Sequence, residues 1–225
     1  MDSIRIFVET GKKKVFVGAI DWPGWSRGAR DETSALQMLL DYAPRYAQVL
    51  TSQAIEFQLP AELSDFSVVE RLVGNVTTDF GAPAIELDAD QAPMDQPAFE
   101  RSRKILEGCW ESFDLAMETA AGKVLAKGPR GGGRDLDKIV EHVIEADRSY
   151  LSRLAWKYKR DASLTQIEEL SRSRQAILNA LEVAVTEGLP ESGPRGGTIW
   201  HPPYFIRRVA WHVLDHAWEI EDRIV

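Results

Sequence analysis

The chain has 225 residues, 44% hydrophobic and 28% charged, so it is long enough to bury a core as one domain or as two small ones. Its net charge of −8 argues against nucleic acid or an anionic membrane as a partner, and its single cysteine excludes an intrachain disulfide framework. Because no apolar run reaches membrane-spanning length, we expect a cytoplasmic protein that is neither inserted into a membrane nor exported.

The first 30 residues have the pattern of a small sheet. Residues 3–9 and 15–20 are rich in Ile, Val and Phe, and the polar turn at residues 11–14 predicts that they pair as an antiparallel hairpin. A Pro-Gly turn at Pro23 precedes a brief extended piece at residues 26–30. The pattern therefore predicts two strands and a third, shorter one.

A helix and a further strand are predicted next. Asp31 is expected to cap a helix, and Pro44 either kinks that helix or ends it. The run A-I-E-F-Q-L at residues 54–59 predicts a strand, because it is apolar and stands before a proline. Residues 66–73 fit either a strand or a helical turn.

The turn D-W-P-G-W, at residues 21–25, precedes the short third strand and the helix that begins D-E-T-S-A-L. This order of elements resembles the HicB-like fold over residues 1–60. The resemblance implies a small ββ(β)αβ domain used mainly for protein contacts, which we place at residues 1–90. No DNA-binding segment is evident after it, so we expect a protein partner and do not carry over the antitoxin role. Trp22 and Trp25 are expected to pack over the sheet, the alternative being contact with a ligand.

Beyond residue 90 the apolar residues recur at the spacing typical of α-helices. Residues 91–96 are acidic and contain proline, so they are predicted to be a linker, followed by a second domain at residues 97–225. Four amphipathic helices are predicted there, at residues 97–126, 136–159, 164–187 and 202–223. Each must bury an apolar face, so we expect a four-helix bundle and an α+β fold class overall.

The string G-P-R-G-G occurs twice in the predicted connections, at residues 128–132 and 193–197. An arginine with open backbone amides before a helix can bind an anion, and a flexible connection is the alternative. In an up-down-up-down bundle both connections lie at one end, so the second and fourth helices would run in the same direction. His142 and His212 would then lie at similar heights.

Three of the four histidines are candidates for a metal site. His212 and His216 are four residues apart on the last helix, so both rings can face one point, and His142 on the second helix would be the third ligand. Neutral imidazoles suit Zn²⁺, Ni²⁺ or Fe²⁺, and three ligands leave a position for water or substrate, as in catalytic sites. The alternative is a set of hydrogen-bonded histidines at the edge of the core.

The segments H-V-I-E-A-D-R-S-Y-L, from His142, and A-W-H-V-L-D-H-A-W-E-I-E, from Ala210, resemble the DinB superfamily of four-helix metalloenzymes. The resemblance covers residues 97–225. It implies a divalent metal held by His142 and by the pair His212 and His216. Several members of this family transfer low-molecular-weight thiols such as mycothiol or bacillithiol to small molecules. The chain departs from the family pattern in two places. It has A-W-E-I where the family usually has G-Q-I after the histidine pair, and its connection between the second and third helices is shorter than in many members.

Two functions follow from these patterns. The first is a metal-dependent S-transferase or hydrolase with a small-molecule or thiol substrate, in which the metal lowers the pKa of a bound thiol or water. The second is a non-catalytic module that binds a protein through the HicB-like domain and keeps a structural or vestigial three-histidine site. The wide apolar faces of the helices also favour a homodimer.

Three further residues have a structural and a functional interpretation. Glu219 either orients or joins the metal ligands, or it pairs with Arg223 four residues on. His201 is expected at the cap of the last helix, with a proline in the first turn, rather than over the site. Cys109 is expected to be a buried apolar residue rather than a nucleophile.

Overall fold

A computed structural model of the chain describes residues 3–127, 133–193 and 197–225. These residues form a small mixed sheet followed by long helices, which confirms the predicted α+β class. The strands are β1 (Ile4–Thr10), β2 (Val15–Ala19), β3 (Ser26–Ala29) and β4 (Phe66–Val73). The helices are α1 (Glu32–Asp41), α2 (Ala43–Thr51), α3 (Val76–Phe80), α4 (Gln96–Ala120), α5 (Leu136–Leu151), α6 (Gln166–Thr186) and α7 (Pro202–Arg223).

The sheet has the strand order β3-β2-β1-β4. β1 and β2 pair antiparallel, as the hairpin prediction required, and β4 pairs parallel to β1 on its other side. The strand predicted at residues 54–59 is wrong, because the backbone turns at Ala54, whose φ is 52°, and Ile55 and Phe57 pack on the core without joining the sheet. Residues 66–73, for which the sequence allowed two interpretations, supply the fourth strand instead.

The first helix is capped and ended as its sequence predicts. Oδ1 of Asp31 accepts a hydrogen bond of 2.8 Å from the amide of Ser34. Pro44 ends α1 by lying in the first turn of α2, where a missing N–H group is tolerated because first-turn amides have no helical partner. Trp25 is fully buried and stacks on Tyr46 of α2 with ring centroids 5.6 Å apart, so this tryptophan has a packing role.

The four long helices pack side by side, with α7 against α4 and α5, and with α6 against the same two helices. α4 and α7 run in the same direction, because the amide of Ala126, just after α4, donates to the carbonyl of Arg223 at the end of α7. α5 runs the other way. Arg134, before its first turn, contacts Arg223, and Tyr150, near its end, contacts Arg208 in the second turn of α7.

α5 and α7 are therefore antiparallel, and the expectation that they run in the same direction is wrong. The reason is the connection between α5 and α6, which returns along the bundle. It brings Gln166, the first residue of α6, to Glu141 in the second turn of α5. The eleven residues 155–165 can span about 36 Å when extended, whereas the length of α5 is only about 24 Å.

The predicted apolar helix faces are mostly buried. α4 buries all six residues assigned to its inner face, namely Leu106, Cys109, Phe113, Ala116, Met117 and Ala120. Two details differ. The second predicted helix ends at Leu151, followed by a 3₁₀ turn to Leu154, because Ala155 adopts a left-handed φ of 57°. Ile167, expected in the core, is 62% exposed. No helix in the described ranges is long and apolar enough to cross a membrane.

The sheet and the long helices share one continuous core. α2 approaches α4 closely at Gly108, where a Cβ atom would lie 2.6 Å from the carbonyl oxygen of Val49, so glycine is required there. Asp90 is buried and forms an ion pair with Arg207 of α7. The segment just before the predicted linker at residues 91–96 is thus tied to the last helix, and the domain limits proposed from the sequence stay a prediction.

Candidate metal site

Three histidines meet where α5 packs against α7. His212 and His216 are one turn apart on α7 and each is 7% exposed, while His142 projects from α5 and is half-buried. Nε2 of His212 lies 3.2 Å from Nε2 of His142, and the ring centroids of His142 and His216 are 5.0 Å apart. These residues lie near the middles of their helices, so the rings meet although the helices run in opposite directions.

One distance between these rings matches two ligands of one metal ion, and the third ring is near enough to be a further ligand. One ring nitrogen from each histidine lies within 4.8 Å of the other two. Two nitrogen ligands at about 2.05 Å from a tetrahedral metal are about 3.3 Å apart, close to the 3.2 Å that separates His142 and His212. The three side chains therefore fit a divalent ion that accepts nitrogen ligands, with a fourth position for water or substrate.

Burial keeps the imidazoles of His142 and His212 in the neutral form that binds metal. Desolvation lowers the pKa of His212 well below its ordinary value, and the nearby rings of His216 and His142 lower it further. Desolvation also lowers the pKa of His142 to about 4, with His216 as the next cause. At neutral pH both rings therefore offer a nitrogen lone pair.

Glu219 holds the ring of His216. Its Oε2 lies 2.8 Å from Nδ1 of His216, and its Oε1 accepts a hydrogen bond from Arg223. The bond with His216 lowers the pKa of Glu219, so the carboxylate is ionised and acts only as an acceptor. Nδ1 of His216 then carries the ring proton, which leaves the Nε2 lone pair for a metal. Glu219 thus pairs with Arg223, as one of its two interpretations predicted, and it also contacts His216, whose role as a ligand stays a prediction.

An aromatic wall and a buried cation stand beside the histidines. The ring of Tyr150 packs edge-on against His212, with centroids 5.8 Å apart, and lies 5.3 Å from the ring of Trp200. Arg208, which is 7% exposed, donates a hydrogen bond of 3.3 Å to the hydroxyl of Tyr150. Its positive charge opposes protonation of His212 and so contributes to the lowered pKa of that ring.

Tyr150 and Arg208 were not predicted as site residues, although their spacing from the histidines contained the signal. Arg208 precedes His212 by four residues, and Tyr150 follows His142 by eight, so each shares a helix face with a ligand histidine. Which helix faces are neighbours can be inferred only when the direction of each helix in the bundle is known. The pairing of these two side chains was therefore not predictable from spacing alone.

The other residues considered from the sequence lie outside the cluster. His201 is the N-cap of α7, before two prolines, and its Nδ1 lies 2.7 Å from Glu86, which confirms the cap prediction. Cys109 is buried, and desolvation raises its pKa, as expected for an apolar role. Of the two G-P-R-G-G strings, residues 128–132 and 194–196 fall outside the described residues.

Asp147 is a buried carboxyl group that the sequence analysis missed. It is 3% exposed, and Oγ of Ser173 on α6 donates to its Oδ2 over 3.2 Å. Desolvation raises its pKa to about 7, against the opposing effect of Arg174. It faces α6, whereas His142 on the same helix faces α7. An ionisable residue within an apolar helix face is normally assigned to the surface, and for that reason it was overlooked.

Comparisons of the chain with protein-family models, with curated proteins and with solved structures give no match. The function therefore rests on this chain's own residues. These are three converging imidazoles, the carboxylate that orients one of them, and the aromatic wall beside them.

Proposed function

We propose that the protein is a divalent-metal-dependent enzyme of the DinB-like type, with His142, His212 and His216 as its metal ligands. One observation carries this proposal: a ring nitrogen of each histidine lies within 4.8 Å of the others, and the nearest pair is 3.2 Å apart. A set of hydrogen-bonded histidines accounts for the contact of His142 with His212. It does not account for Glu219, which fixes the proton of His216 away from Nε2.

The chain's topology supports the two family resemblances. The candidate ligands come from the second and fourth long helices, as in DinB-like proteins. The connection at residues 155–165 is shorter than in many members of that family, but it returns along the bundle as a crossover does. Three strands, a helix and a final strand follow one another in residues 4–73, which supports a HicB-like assignment of residues 1–90. α2 is an addition to that order.

The chemistry divides between the metal and the protein. A bound Zn²⁺, Ni²⁺ or Fe²⁺ would supply Lewis acidity, which lowers the pKa of a thiol or water in the open position. The three histidines would hold the ion, and Glu219 would keep His216 in the binding tautomer. Tyr150 and Trp200 would exclude water and provide an apolar wall for a small electrophile.

The reaction we propose is the transfer of a low-molecular-weight thiol to a small molecule. The sulfur forms a bond to an electrophilic carbon, the leaving group departs with the bonding electrons, and the thiol proton passes to solvent. Hydrolysis, with water in place of the thiol, is the related reaction that the same site would support.

Metal analysis of protein purified without a histidine tag tests this proposal. We expect about one divalent ion per chain in the wild type and in the control His201→Ala, and less than about a tenth of that in His212→Ala. Transfer of bacillithiol or mycothiol to 1-chloro-2,4-dinitrobenzene should fall with the metal and return when metal is added back. Absence of bound metal, or metal whose removal leaves all thiol-transfer and hydrolysis rates unchanged, would overturn the proposal.

An exposed patch on the sheet region favours protein binding as a second function. Val76 and Phe80 lie one turn apart on α3 and are 84% and 90% exposed. They line a groove of about 630 Å³ together with three cationic side chains and one carboxylate, those of Lys13, Lys14, Arg30 and Asp79, so the charge of the groove is positive on balance. Large exposed apolar side chains mark interaction surfaces. The chain as a whole is acidic, but this groove is positively charged, so it favours an acidic partner. The occupant we infer is an acidic protein segment with an apolar side chain.

Peptide binding measured by fluorescence anisotropy tests this surface. A peptide of Glu and Leu should bind at least ~10-fold more weakly to Phe80→Ser than to the control Leu115→Ser, which changes an exposed apolar residue of α4. A matching peptide of Lys and Leu should not bind. Equal binding of the two peptides, or binding only to vesicles that contain phosphatidylserine, would exclude an acidic protein partner.

A further inference from the structure

A small cavity lies between the sheet region and α7. The residues that line it include Trp25, Ser26, Pro83, Ile85, Arg208 and Trp211. Its volume is about 20 Å³, and one water molecule requires about 10–15 Å³ on the same measure. The cavity therefore accommodates a single water molecule or a monatomic ion.

Two buried hydrogen-bond donors at this cavity have no partner in the structure. They are Nε of Arg208 and Nε1 of Trp211, and both residues are less than 10% exposed. An unpartnered buried N–H group costs about 1–3 kcal/mol, and a bound water or ion is one explanation of such a group. Arg27 and Arg174 also have an unpartnered Nε, but each of these arginines forms an ion pair with a carboxylate. The donors of Arg208 and Trp211 belong to residues that line one shared cavity, which favours a ligand in it.

The charge of Arg208 identifies the kind of ligand. Its other guanidinium nitrogens donate to the carbonyl of Pro83 and the hydroxyl of Tyr150, which are neutral acceptors. Among the described residues it forms no ion pair, whereas its neighbour Arg207 is paired with Asp90. A water molecule would satisfy the N–H groups but would bring no counter-charge to the buried guanidinium of Arg208, which the rings of Tyr150 and Trp211, 5.7 and 5.2 Å away, compensate only in part.

We infer that this cavity is a halide site in which chloride accepts hydrogen bonds from Nε of Arg208 and Nε1 of Trp211. A chloride ion satisfies both donors and neutralises the guanidinium. It also joins the sheet region to α7, since the cavity is lined by residues of both. The inference is independent of the metal, because none of the three histidines lines the cavity.

Thermal unfolding in matched sodium salts is the first test. Above its Kd, chloride or bromide should raise the Tm by about 3 °C for each tenfold increase in concentration relative to gluconate at equal ionic strength. Trp211→Phe, which keeps an aromatic ring but removes the donor, should lose most of this difference. Trp156→Phe removes an indole N–H outside the cavity and should retain it. No difference between chloride and gluconate in the wild type would overturn the inference.

A crystal grown in bromide is the second test, and it does not depend on the folding of a variant. An anomalous peak within hydrogen-bonding distance of Arg208 and Trp211 is expected. A water molecule at that position with no anomalous signal would show that the cavity is hydrated and would overturn the halide assignment. Bromide found at surface sites alone would do the same.

Discussion

Nε2 of His212 lies 3.2 Å from Nε2 of His142, although the two residues are on antiparallel helices and 70 positions apart in the chain. Their contact depends on the packing of α5 against α7, which the edge-on contact between Tyr150 and His212 helps to fix. These two rings and that of His216, which Glu219 contacts, form the proposed metal site.

Removal of the ligand from α5 should abolish tight metal binding. We expect His142→Ala to weaken metal affinity at least ~100-fold, because two nitrogen ligands from one helix remain and the coordination is incomplete. His201→Ala should leave affinity unchanged, since His201 binds Glu86 at the start of α7. Competition with a chelating dye measures both. Equal affinity in the two variants would exclude His142 from the site.

The carboxylate behind His216 should matter almost as much as a ligand. Glu219→Gln keeps the size of the side chain but removes the charge that fixes the imidazole tautomer, so metal affinity should fall about 10–100-fold. Glu221→Gln is the matched control, because Glu221 pairs with Arg45 at the surface. The proposed role of Glu219 would be excluded if both variants bound metal as tightly as the wild type.

Metal binding should persist at moderately acidic pH. The pKa of His142 is lowered to about 4 and that of His212 is lowered well below its ordinary value, so both rings remain neutral as the pH falls through 6.5. Protons should begin to displace the metal from His142 and His212 only as the pH approaches 4. Metal content after dialysis at a series of pH values checks this. Half-release near pH 6.5 would mean that the rings are not desolvated as the structure shows.

Asp147 should make the stability of the protein fall as the pH rises. Its folded-state pKa is about 7, against 3.8 for the unfolded chain, so the folded state binds more protons between these values. This contribution is fully present below pH 3.8 and is lost as the pH rises through 7. Asp147→Asn does not titrate, so its Tm relative to wild type should increase between pH 4 and pH 7.5. A constant difference in Tm over this range would contradict the raised pKa.

The ion pair between Asp90 and Arg207 should contribute strongly to stability. Asp90 is 2% and Arg207 9% exposed, so Asp90→Ala leaves a buried guanidinium without a counter-charge. The free energy of unfolding should fall by about 3–5 kcal/mol. Asp21→Ala removes the exposed pair with Arg5 and should cost at most about 1 kcal/mol. Urea unfolding measures both, and similar small losses would show that the buried pair does not hold this segment to α7.

Features that depend on neighbouring residues were predictable from the sequence. α7 covers Pro202–Arg223, the range predicted from its apolar period and its proline start. The cap of α1 at Asp31 and the hairpin of β1 with β2 were also predicted correctly. In each of these the deciding interactions lie within a few residues, or across one short turn.

Features that depend on contacts between residues far apart in the chain were not predictable from the sequence. Residues 54–59 have the composition of a strand, but β4 occupies the free side of β1. The burial of Asp147 depends on Ser173 of another helix, and that of Arg208 on the segment that contains Pro83. Composition and period describe one element at a time, so they contain no information about which elements face each other.

The sequence by itself determined that His212 and His216 share one face of the last helix, because a spacing of four residues sets their relative direction locally. It also identified His142 as the candidate third ligand. Only the tertiary structure decided that His142 reaches them, that it does so from an antiparallel helix, and that Glu219 orients the ring of His216. The approach of His142 depends on a return connection and on packing between helices far apart in the chain, and these are set by the burial of the whole core.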